Sequence, residues 1–185
     1  VLGGCWAKVA KLQVDSSEAR NGTLNLNSQN LDDAGAQCIA DILSRRPQAV
    51  TSLHLSATFT PISRGVFGLL GKKGGVNPAN LTLLNLSSNV FTEHDVSHFV
   101  KAVERGGMRN LRRLILHDAR LGSQFCRMVH LFRPVGGLDN LVRLDLSGND
   151  LDKEALRLFT KYAAWMCALR VVEIQRNEIP FAKLH

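Results

Sequence analysis

Residues 21–181 repeat one pattern six times, and that repetition leaves few folds open to the chain. The clearest copy is LVRLDLSGNDL, in which Leu141, Leu144, Leu146 and Leu151 stand one, four, six and eleven places along and bracket Asn149. The first position of this template recurs at Asn21, Val50, Leu81, Leu111, Leu141 and Leu169, at steps of 29, 31, 30, 30 and 28 residues. Its fourth and sixth positions are Leu24/Leu26, Leu53/Leu55, Leu84/Leu86, Leu114/Leu116, Leu144/Leu146 and Val172/Ile174, and its eleventh adds Leu31, Phe91, Leu121, Leu151 and Ile179. Two apolar residues separated by one other match a half-buried strand, whose side chains alternate between faces. One such unit cannot bury its own apolar face, so the copies must cover one another.

Between the strands the apolar spacing becomes helical. Asp152 precedes a stripe of Leu156, Phe159, Tyr162 and Ala163. Thr92, with Asp95 three residues on, has the form of a capping box for a helix carrying Val96, Phe99, Val100 and Val103 and stopping at Gly106-Gly107. Asp32 or Asp33 opens a third helix ending near Arg46-Pro47, and Ser123 a fourth ending near Pro134. The segment Ile62–Leu70 is a weaker candidate, interrupted by Gly65 and Gly68. Ahead of the array, Val9, Leu12 and Val14 in residues 1–20 suggest either an edge strand turning back at Asn21-Gly22 or a truncated repeat.

A strand and a helix every 28 to 31 residues, with leucines in these positions, resembles the leucine-rich repeat of the ribonuclease-inhibitor type. That long class is also found in Ran GTPase-activating protein, NLR receptors and CARMIL-type proteins. The resemblance covers about residues 21 to 181 and rests on structural positions. It implies an α/β solenoid: a right-handed β-α superhelix with a curved parallel sheet on the concave face and helices on the convex face. Parallel strands about 4.8 Å apart, backed by wider helices, must indeed curve. Gln29, Thr58 and Ala119 stand where the turn asparagine belongs, so looser turns are expected in the first, second and fourth repeats.

The rest of the composition narrows the setting. With 45% hydrophobic and 21% charged residues the chain is ordinary for a globular protein, and no apolar run approaches the roughly 20 residues of a membrane helix. No signal peptide is evident in VLGGCWAK, and Cys5, Cys38, Cys126 and Cys167 form no CxxC pair. A cytoplasmic, reducing setting is expected. The sequons at Asn21, Asn80 and Asn85 read as chance, since Asn85 falls within a strand.

Function is expected on the open face of the sheet, where the third, fifth and seventh template positions alternate with the buried leucines. Arg113 and Arg143 lie side by side there, as do Asp145 and Glu173, an arrangement that costs a fraction of a kcal/mol per like-charged neighbour. Arg143 and Asp145, two apart on one strand, are expected to neutralise each other. The expected partner-binding set is Arg113, Ile115, His117, Arg143, Asp145, Glu173, Asn85 and His54, meeting a protein along the concave face. Exposed terminal repeats also predict a second copy, further chain or a partner covering at least one end.

A basic rim at the helix ends and following loops collects Arg45, Arg46, Lys72, Lys73, Arg105, Arg109 and Arg133, each suited to a helix C-terminus. With a formal net charge of +7 this rim offers a second reading, a structural part of a cytoskeletal or ribonucleoprotein assembly. The absence of interleaved aromatics argues against nucleic acid. Regulation of a small GTPase is a third reading, carried by the resemblance alone.

Catalysis has no positive signal. GLLGKKGG lacks the Ser or Thr of a phosphate-binding loop, and no serine, histidine and acid constellation is apparent. His94 and His98 have metal-ligand spacing but no third ligand, and Cys126 and His130 sit among core residues. No cofactor and no metal site is expected.

Overall fold

The computed structural model describes residues 22–29, 35, 39, 43, 50–58, 80–132 and 137–178. The expected N-terminal strand or truncated repeat at 1–20, the GLLGKKGG stretch, and Arg45, Arg46, Lys72, Lys73 and Arg133 of the basic rim lie outside the described residues. So does most of the helix expected after Asp33, of which Gly35, Ile39 and Leu43 are helical and buried.

Six three-residue strands form one parallel sheet in chain order: β1 Thr23–Asn25, β2 Ser52–His54, β3 Leu83–Asn85, β4 Arg113–Ile115, β5 Arg143–Asp145 and β6 Val171–Glu173. Register joins like template positions throughout, running from Leu24 through Leu53, Leu84, Leu114 and Leu144 to Val172. The ladder continues past the strand ends. The amide at the sixth position donates to the fifth-position carbonyl of the next copy, from Leu26 to His54 (2.9 Å) through to Leu146 to Glu173 (2.8 Å). This is the open-sheet α/β architecture that the period-two apolar pairs require. The strand-centre leucines of β1 to β5 are at most 4% exposed, each stabilising the fold by about 1.5–3 kcal/mol. At β6 the equivalent Val172 is 37% exposed and Val171 is 41% exposed, because no described strand lies beyond them.

Besides the helical Gly35, Ile39 and Leu43, two α-helices are described along their whole length, and both pack on the leucine face. α1, Glu93–Glu104, begins with the expected capping box: the Asp95 amide donates to Thr92 Oγ1 (3.3 Å) and the Thr92 amide to Asp95 Oδ2 (2.8 Å). It stops at Gly106, whose φ of +83° lets the Gly106 and Gly107 amides turn back onto the Val103 and Ala102 carbonyls. α2, Lys153–Ala163, is capped by Asp152, which accepts from the Ala155 amide at 2.8 Å. Val96, Phe99 and Val103 of α1 share one core with Leu84, Leu86, Leu114 and Leu116.

The helix expected from Ser123 takes another form. Two 3₁₀ segments, Gly122–Arg127 and Val129–Phe132, occupy that place. No side chain caps the first segment, and its bonds run three residues back, as from Gln124 to Leu121 and from Met128 to Phe125. Packing of Phe125 and Phe132 against Phe159 substitutes for the missing cap.

The expected looseness of the second and fourth turns is not observed. Ser28, Ala57, Ser88, Asp118, Gly148 and Arg176 all adopt left-handed φ between +51° and +66°, so the turn is the same in six copies. In the second and fourth copies, which lack the asparagine, the next copy supplies one. Asn89 accepts from the Thr58 amide at 3.0 Å, and Asn149 accepts from the amides of Ala119 (3.0 Å) and Leu121 (3.3 Å). Each asparagine therefore staples the preceding turn as well as its own, a link that pattern-matching within one copy does not reveal.

Candidate functional site

The open face of the sheet carries the third, fifth and seventh positions, as alternation demands. Arg113 and Arg143 are exposed neighbours in register, and Ile115 is half-buried beside Asp145. The expected pairing of Arg143 with Asp145 is replaced by another. Arg143 reaches diagonally to Glu173 on β6, with Nη2 donating to Oε1 (2.7 Å) and Nε to Oε2 (3.3 Å). A planar guanidinium matches a carboxylate in this two-bond geometry, and the neighbouring strand presents Glu173 at the right offset. Because both groups are partly exposed, the pair adds little to stability.

Asp145 has a different task. Its Oδ1 accepts the Ser147 amide at 3.0 Å, as Asn25 does for Asn27 (3.2 Å) and Asn85 for Ser87 (3.0 Å). Two members of the expected binding set, Asn85 and Asp145, are thus engaged in holding the exit of their own strands. His54, half-buried on β2, lies on the same face.

His117 joins a cluster that spans three copies. Its Nε2 lies 2.9 Å from Asp118 Oδ2 and 2.6 Å from Arg176 Nη2, while Nδ1 is 3.9 Å from Asp145 Oδ2. Arg176 Nη2 is also 3.5 Å from Asp118 Oδ2. One ring nitrogen faces both a donor and an acceptor, so it serves one of them at a time according to its tautomer. The cluster exists because Gly148 stands between Asp118 and Arg176. A Cβ there would lie 1.8 Å from Asp118 Oδ1. The left-handed φ is not what calls for glycine, since five other residues adopt it at the same template position. The space is. Asp118 escaped sequence reasoning because it lies just beyond the strand; the signal was the column Asp118, Gly148, Arg176 at the eighth position.

A second feature lies at the starting edge of the strands. Thr51, Asn80, Thr82, Asn110, Arg112 and Asn140 line a groove of about 340 Å³. The asparagines immediately precede Leu81, Leu111 and Leu141, a column legible in the sequence but outside the rows that alternation selects. Arg105 and Arg109 of the expected basic rim are exposed after α1, at the same end as this groove's Asn110 and Arg112.

The remaining chemistry is sparse among the described residues. No group of three His, Cys, Asp or Glu there could hold a metal ion. His94 and His98 lie with ring centroids 4.2 Å apart and planes tilted by 46°, and His98 Nδ1 lies 2.9 Å from the His94 carbonyl. No described helix is long and apolar enough to cross a membrane. Cys126 and Cys167 are free thiols. Burial, and then the Asp152 and Glu154 carboxylates, push the Cys126 thiol above its ordinary pKa, whereas Cys167 is exposed. Because the thiolate is the reactive form, alkylation near neutral pH is expected to mark Cys167 well before Cys126, as read by peptide mass mapping. Equal rates would contradict the packing around Cys126.

No family model matches the chain. Among curated proteins it is similar to human "NACHT, LRR and PYD domains-containing protein 13", 30% identical over 139 residues. The match takes in 75% of this chain but 13% of that protein, so the likeness concerns a small part of the relative. That protein's name includes the leucine-rich repeat, which agrees with the six-copy template and supports a protein-interaction domain in general terms.

Proposed function

We propose that this chain is a leucine-rich repeat solenoid of the ribonuclease-inhibitor type that binds a protein on the concave face of its sheet and performs no catalysis. One observation carries the reading: six parallel strands in unbroken register line up their third, fifth and seventh side chains on a face that no described helix covers. A continuous polar face with an isoleucine at its centre offers hydrogen bonding around an apolar contact, the usual anatomy of a protein interface. The similarity to an LRR-containing protein points the same way. The exposed Val171 and Val172 support coverage of the β6 edge by a partner, a second copy or further repeats.

Arg113 and Ile115 are the residues to test, because Asn85, Asp145 and the Arg143–Glu173 pair also have bonds within the sheet. In affinity capture from cell lysate, an Arg113→Ala, Ile115→Ala double variant is expected to lose a discrete protein that the unmodified chain retains, with its thermal unfolding nearly unchanged. Undiminished capture of every protein would remove the concave face from the function. Loss of captured material on ribonuclease treatment would instead favour the assembly reading built on the basic rim.

A further inference from the structure

The groove at the strand-start edge has a hydrogen-bonding character that its residue types alone do not disclose. A threonine hydroxyl has one proton and two lone pairs. Thr51 Oγ1 gives its proton to the Gly22 carbonyl (3.2 Å) and Thr82 Oγ1 to the Thr51 carbonyl (3.1 Å). Asn140 donates through Nδ2 to the Arg109 carbonyl at 2.8 Å. What these three side chains still offer the groove are the hydroxyl lone pairs of Thr51 and Thr82 and, at Asn140, the Oδ1 lone pairs beside the second Nδ2 proton. Facing them is one cation. Arg112 is exposed and pairs with no carboxylate among the described residues, and neither does Arg113 beside it.

A ligand complementary to this wall carries N–H donors for the row of acceptors and an anion for the guanidinium. An extended peptide with an aspartate or glutamate side chain has both. We propose that this groove binds an extended acidic peptide segment, whose carboxylate is held by Arg112 and whose amides donate to Thr51, Thr82 and Asn140. The proposal rests on the reading of the chain as a protein-binding module, and it places the charge specificity at the edge of the sheet and not at its centre.

The test is selection of random linear peptides displayed on phage against the whole chain. The expected result is enrichment of Asp or Glu at one position, lost when the target is Arg112→Ala and converted to Lys or Arg when it is Arg112→Glu. Changing that acid to its amide in a selected peptide should weaken binding about 10- to 100-fold, the loss of one charge-assisted contact. Selected peptides that need Ile115 or Arg143 but bind Arg112→Ala undiminished would overturn this inference and leave the concave-face reading standing. Enrichment of no peptide, with oligouridylate RNA bound instead, would overturn both.

Discussion

Asn149→Ala is expected to lower the unfolding free energy by about 3–5 kcal/mol, a large share of the roughly 5–15 kcal/mol typical of a folded domain. Asn149 is fully buried, and its side chain makes four bonds to backbone. It donates to the Leu116 (2.7 Å) and Ser147 (3.2 Å) carbonyls and accepts from the Ala119 and Leu121 amides. Alanine strands all four in a place that water does not reach. Each orphaned group costs about 1–3 kcal/mol, but relaxation of the turn lets some find water, which keeps the total below their sum. Leucine would fill the volume without restoring a single bond, so Asn149→Leu should be no better. Urea unfolding measures the loss, and hydrogen exchange should show the Ala119 and Leu121 amides exposed first. The exposed Lys153 at the start of α2 provides the contrast, with Lys153→Ala within about 0.5 kcal/mol of the unmodified chain. A midpoint for Asn149→Ala matching that of Lys153→Ala would mean that the turn does not depend on the staple.

That staple marks the limit of what the sequence discloses. Strand positions, register and the caps at Thr92 and Asp152 were legible because each follows from residues close together in the chain: an apolar pair, or a polar residue three places before another. The bonds from Asn89 to Thr58 and from Asn149 to Ala119 cross 31 and 30 residues. Reading Thr58 and Ala119 as defects in their own copies was reasonable within one copy and fails once the copies stack. The 3₁₀ segments fail for a related reason. Gly122 to Phe132 has the apolar spacing of a helix, but how tightly it winds is decided by Phe159 from the following copy.

The candidate site divides the same way. Alternation placed Arg113, Ile115, His117, Arg143 and Asp145 on one face, because facing depends only on parity. Pairing depends on side-chain reach. Arg143 pairs with Glu173, diagonally across on the next strand, and not with Asp145 on its own, whose carboxylate accepts the Ser147 amide instead. Arg176 reaches His117 only because Gly148 leaves the intervening place empty. Both features need the stack. The result is a face whose carboxylates are already engaged: Glu173 by Arg143, Asp145 by the Ser147 amide, and Asp118 by His117 and Arg176. Among the described residues Arg113 and Arg112 pair with no carboxylate, which is the charge that the proposed acidic segment would meet.

Phe132→Ala is expected to cost about 3–5 kcal/mol, with the damage confined at first to the fourth repeat. Phe132 is fully buried and meets Phe159 edge-on, at 85° with centroids 5.3 Å apart, while Phe125 lies 6.1 Å from it and 5.9 Å from Phe159. Removing one ring from this triangle leaves a cavity and deletes aromatic contacts of about 0.5–1.5 kcal/mol each beyond the area lost. The location matters more than the sum. The segment 122–132 has no side-chain cap on its first 3₁₀ turn, and its bonds to other copies are few, from the Gly122 amide to the Asn149 carbonyl and from the partly exposed Arg127 and His130 to Glu93 and Glu104, so these buried rings contribute much of what fixes its winding. Phe132→Leu, which keeps most of the volume, should cost about 1–2 kcal/mol and preserve the segment. Hydrogen exchange distinguishes local from global loss: the Met128 and Leu131 amides should lose protection in Phe132→Ala at urea concentrations where the Leu116 and Leu146 ladder amides remain protected. Simultaneous loss at all four would show that the rings stabilise the whole array as one unit. Because the sheet passes its hydrogen bonds from copy to copy without using the segment 122–132, the open face should survive the first stage of unfolding, and partner capture by Arg113 and Ile115 should persist there while the far side has already loosened.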